Sequence, residues 1–129
     1  MQFGLEWHMP RRVLILTVSG DVSLEELVQF NTAMLSHLEQ GVPPVHLVSL
    51  GDNIRRVPTN ILLIKQTLTY LQHPNMGWTI IVQEKANSLA GFMVSVAAQA
   101  TGMKMRQVKN ASDGVETLAR LDQSISLPV

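Results

Sequence analysis

The chain has 129 residues, 46% of them hydrophobic and 16% charged, with 10 Lys+Arg against 10 Asp+Glu. One domain is expected at this length, with a core large enough to fold without disulfide or metal. Zero formal charge argues against a nucleic-acid binder, and the absence of Cys excludes disulfides, thiol catalysis and thiolate metal sites.

Phe3, Leu5, Trp7 and Met9 alternate with Gln2, Gly4, Glu6 and His8, the period of a strand with one apolar face. Met9-Pro10-Arg11-Arg12 makes a turn into Val13–Val18, a nearly continuous apolar run suited to a central strand. The two are expected to form a hairpin with the first strand at an edge. Ser23 and Glu26 have capping-box spacing, in which each side chain satisfies an orphan backbone amide of the other. The helix that follows places Leu24, Leu27, Val28, Met34, Leu35 and Leu38 on one face and is expected to end at Gly41, a favoured residue beyond a helix end.

Val45 to Leu50 reads as the third strand, and Gly51 to Pro58 as the longest polar loop. Thr59 or Pro58 opens a second helix, with Ile61, Ile64, Leu68 and Leu71 in register, stopped by His73-Pro74. Trp78–Val82 is a β-branched strand. Asn87 or Ser88 caps a third helix over Leu89–Thr101, closed by Gly102. Met103–Val108 is the last strand. Asp113 and Glu116 are spaced as a box for a final helix through Leu121, which would end the domain near residue 122 and leave 123–129 as a flexible tail. The order is β-β-α-β-α-β-α-β-α. It predicts an α/β fold with right-handed crossovers, a mostly parallel sheet and an antiparallel edge strand.

This order resembles the STAS domain, the SpoIIAA-like fold of anti-sigma-factor antagonists. The resemblance rests on Val18-Ser19-Gly20-Asp21 before the first helix, Val45–Leu50, Thr59-Asn60-Ile61, Trp78–Val82 and Val108–Asp113 before the last helix. Family members carry an acidic residue at the end of the third strand and an Asp-Ser-Ser-Gly-like stretch opening the second helix, where a serine is phosphorylated to control partner binding. Here Ser49 and Val57-Pro58-Thr59-Asn60 take those places, and Thr59 alone keeps a hydroxyl. The chain is therefore similar to a divergent SpoIIAA-like group without the switch. The resemblance implies a cytoplasmic, non-enzymatic regulatory module that acts through a protein partner. Thr59 is expected to serve as a helix cap.

Candidate chemistry is sparse. His8, His37, His46 and His73 have no second ligand at metal-binding spacing, so neither a metal nor another cofactor is expected. Ser19-Gly20-Asp21 lacks the G-x-S-x-G elbow of a nucleophile. Arg55 and Arg56, with Thr59 and Asn60, lie beside a predicted helix start, where an anion or a partner's carboxylate would find free amides and paired guanidinium donors. The 89–101 helix is apolar almost all round. Either it is buried, or Leu89, Phe92, Met93 and Val96 carry an interface to a partner or a second copy. The alternative function is a small-molecule or lipid-binding protein with an apolar pocket beside that helix. No apolar run reaches the roughly 20 residues of a membrane span.

Overall fold

The computed structural model describes residues 2–56, 58–82 and 104–125. Within them one five-stranded sheet runs in the order β1 (Gln2–Met9), β2 (Val13–Asp21), β3 (Val45–Arg56), β4 (Met76–Val82) and β5 (Met105–Val108). β1 pairs antiparallel with β2, and every later pairing is parallel. The α/β class, the parallel sheet and the antiparallel edge hairpin are as expected. The helices α1 (Leu24–Gln40), α2 (Ile61–Thr67) and α3 (Ala111–Leu121) occupy both sides of the sheet.

Alternation along β2 explains the two layers, because successive strand side chains point to opposite faces. Leu14, Leu16 and Val18 join Met34 and Leu38 of α1, Ile64 of α2 and Tyr70 in the larger core. Val13 faces the other way, into a core with Val48, Ile80, Val82, Leu118 of α3 and Ile125. Phe3, Phe30 and Tyr70 close the first core through edge-to-face ring contacts at 5.8 and 5.4 Å. The second core extends past α3: Ile125 is 3% exposed, so residues 123–125, assigned to the tail for want of periodicity, pack with the domain.

Several boundaries differ from expectation, each for a physical reason. The α1 capping box forms as read, with Ser23 Oγ accepting from Glu26 N–H. Val28, however, is 53% exposed, and Phe30 takes a place in the core instead. Gly41 ends α1 in extended backbone (φ −82°), without the left-handed cap; a Cβ there would lie 2.5 Å from Val45 Cγ2. Its value is the close approach of the chain.

The expected polar loop after Leu50 is instead strand through Arg56. β2 also runs on through Ser19-Gly20-Asp21, and the two extensions pair as Ser19↔Asn53, Gly20↔Ile54 and Asp21↔Arg56 across two register shifts. Backbone pairing carries this segment, which has no apolar alternation to announce it. α2 stops at Thr67 and gives way to a 3-10 turn over Thr69–Gln72. Buried Asn31 of α1 sets that turn, accepting from Tyr70 N–H at 2.8 Å and donating to Thr69 Oγ1 at 2.9 Å. α3 is capped by Asn110, whose Oδ1 accepts from Asp113 N–H at 2.8 Å, so Asp113 is a first-turn residue and does not open the helix. The expected 89–101 helix lies outside the described residues.

Candidate functional site

The carboxyl edge of the sheet, where open α/β folds place their ligands, holds the predicted residues Arg55, Arg56, Thr59 and Asn60. The structure does not assemble them into an anion clamp. Arg55 is the extra residue of β3 at the second register shift, where Ile54 pairs with Gly20 and Arg56 with Asp21. Arg55 is 77% exposed, with its Nε 3.5 Å from Asp21 Oδ1, a surface ion pair. Thr59 is exposed and is not the cap. Asn60 is the cap, its Oδ1 accepting from Leu63 N–H at 3.1 Å. At seven residues, α2 is too short to offer a strong dipole end.

The same edge exposes apolar surface. Leu62 is 61% exposed and Leu63 is 40% exposed in the first turn of α2, and Val28 sits in the second turn of α1. Leu89, Phe92, Met93 and Val96, and with them the pocket imagined beside their helix, lie outside the described residues.

Among the described residues the densest polar cluster is at the opposite, amino end of the sheet, and it was not among the predicted site residues. His46 stands in β3 between Val45 and Leu47, 1% exposed. Its Nδ1 accepts from Trp78 N–H at 2.9 Å, so the proton must sit on Nε2, which donates to Asp122 Oδ2 at 2.8 Å. Arg12 Nη2 donates to the same oxygen at 2.8 Å, and Arg12 Nε donates to Pro44 O at 3.1 Å. Asp122 Oδ1 takes Ser124 N–H at 3.0 Å and Ser124 O–H at 2.5 Å, while Ser124 Oγ accepts from Arg12 at 2.9 Å.

The electrostatics agree with that proton placement. Burial pushes the His46 imidazole below its ordinary value, and the hydrogen bond and charge of Asp122 only partly oppose it. For Asp122, burial works toward protonation, but hydrogen bonds from Ser124 and His46 outweigh it and hold the carboxyl at about 2. The neutral imidazole has both nitrogens committed. Ser124 Oγ meets Asp122 and not His46, so the three side chains are no nucleophile–base–acid relay. They tie the C-terminus of α3 to the starts of β2, β3 and β4. A signal was present: a lone histidine inside the run Val45-His46-Leu47-Val48 needs a buried partner.

The other histidines are likewise engaged or peripheral. His37 donates through Nδ1 to Ala33 O at 2.7 Å and packs on Trp7, and His73 Nδ1 accepts from Asn75 N–H at 3.0 Å. Among the described residues no group of three His, Asp or Glu side chains could hold a metal ion. No described helix is long and apolar enough to cross a membrane. No family model, curated protein or solved structure matches this chain.

Proposed function

We propose that this chain is a non-enzymatic, STAS-like regulatory module of the cytoplasm that works by docking a protein partner at the carboxyl edge of its sheet. The observation that carries the reading is the exposure of Leu62 and Leu63 in the first turn of α2, with Val28 exposed near the start of α1. Large apolar side chains left in water at one edge of a domain fit a contact surface better than a solvated rim. The engagement of His46 supports the non-enzymatic part, because neither nitrogen is free to take a proton from a substrate.

A photo-crosslinking amino acid at Leu62, expressed in the native host, tests this. A discrete protein adduct is expected, lost when Leu63→Asp is added. The same label at Gln40, exposed at the other end of α1, should give none. No adduct at Leu62, or equal adducts at both positions, contradicts the reading.

A further inference from the structure

A second surface lies away from that edge, between β5 and α3. A groove of about 280 Å³ runs there, with Val108 and Leu121 contributing apolar lining and Arg106, Arg120 and Thr117 at its sides. The Arg106 guanidinium lies over the Trp78 ring, 4.6 Å from its centroid, and donates to Met105 O at 2.9 Å. Stacking on an indole holds a guanidinium plane in place while leaving its other N–H groups free. Lys104 Nζ sits 5.9 Å from the same ring, and Arg120 makes only a long 3.4 Å contact to Thr117 Oγ1.

All three cations are exposed, and none has a carboxylate within ion-pair distance among the described residues. On α3 itself, Asp113 lies in the first turn, Glu116 stands exposed four residues before Arg120 without an ion pair to it, and Asp122 beyond the helix end is already committed to Arg12, His46 and Ser124, so three cations face one nearby helix carboxylate. In a chain whose charges balance overall, this is a local excess of positive charge beside apolar surface.

We infer that the groove docks an acidic, partly apolar segment of a partner protein, with carboxylates meeting Arg106 and Arg120 and an apolar side chain resting on Val108 and Leu121. A free small anion is a poorer fit. Ion pairs with exposed side chains are individually weak in water, and no buried polar side chain lines the groove to enclose such an anion. A segment adds apolar contact and presents several carboxylates at once. The inference uses residues separate from Leu62 and Leu63, so it can hold or fail independently of the first surface.

The test is fluorescence anisotropy with the intact chain and a fluorescein-labelled eight-residue peptide of alternating Glu and Leu. Saturable binding is expected at low salt, and it should weaken about tenfold in Arg106→Gln with Arg120→Gln, the loss of two charge-assisted contacts. Arg120→Gln alone should weaken it less, which guards against a folding defect in the double variant. The Glu→Gln peptide should fail to bind, and Leu62→Glu with Leu63→Glu should leave binding unchanged. Equal binding to the double arginine variant overturns the inference. So does displacement by equimolar inorganic phosphate, or tighter binding of a single-stranded oligonucleotide of equal length.

Discussion

The two ends of the sheet spend their polar residues in opposite ways. At the amino end, Arg12, His46, Asp122 and Ser124 satisfy one another and the backbone at Trp78 and Pro44. At the carboxyl edge, Arg55 makes one long surface ion pair, Thr59 is exposed, and Leu62 and Leu63 stand in water. A polar group that is buried must be paired, and pairing it fixes the chain. A group left at the surface costs little and stays available. The amino end is fastened by these pairs, and the carboxyl edge is the surface on which the proposed docking would occur.

The strongest way to break this contrast is to remove a latch partner. Asp122→Ala leaves Arg12 and buried His46 without their acceptor and should cost on the order of 3 kcal/mol in urea unfolding. Next is Gly77→Ala. A Cβ at Gly77 would lie 2.6 Å from the His46 ring, and Pro44 blocks the other side at 3.0 Å. The ring cannot yield without losing its two hydrogen bonds, so a loss of about 2 kcal/mol is expected, as for overpacked sites.

Acid should weaken the same end. His46 titrates lower in the folded chain than in the unfolded one, so its contribution is complete above about pH 6.5 and declines as the pH falls below that value. Asp122, held at about 2 against an ordinary 3.8, contributes above about pH 4, and that contribution is lost between 3.8 and 2. Both act in one direction, so the thermal midpoint should fall progressively on acidification, and in Asp122→Ala the part below about pH 4 should disappear while the part below about pH 6.5 remains. At the carboxyl edge the effects shrink. Asn60→Ala should cost about 1 kcal/mol for a lost cap, whereas Thr59→Ala should stay within about 0.5 kcal/mol, as an ordinary surface change. A larger loss at Thr59 than at Asn60 in the same unfolding assay would reverse the assignment of the cap.

Hydrophobic period and capping chemistry made the α/β class, the edge hairpin and the Ser23–Glu26 cap legible in the sequence, because those signals are local. What the sequence hid depends on partners far along the chain. The extension of β3 to Arg56 exists because β2 offers Ser19–Asp21 as a parallel neighbour. The early end of α2 exists because Asn31, 38 residues before Thr69, claims the backbone of the next turn. The pairing of His46 with Asp122 spans 76 residues, and nothing in the spacing of either residue reports it. The two arginines read as loop residues, but the segment is strand, and its second register shift sets Arg55 beside Asp21 of β2.

The state of His46 tests the division between the two ends most directly, and nitrogen NMR of the histidine rings reads it. The His46–Asp122 pairing requires a neutral ring with its proton on Nε2 and Nδ1 accepting a hydrogen bond, and a titration midpoint below about 6.5, the ordinary histidine value. If His46 instead titrates at that value, with its proton exchanging between both nitrogens, the imidazole is free. The amino end would then lack the fastening that the contrast requires.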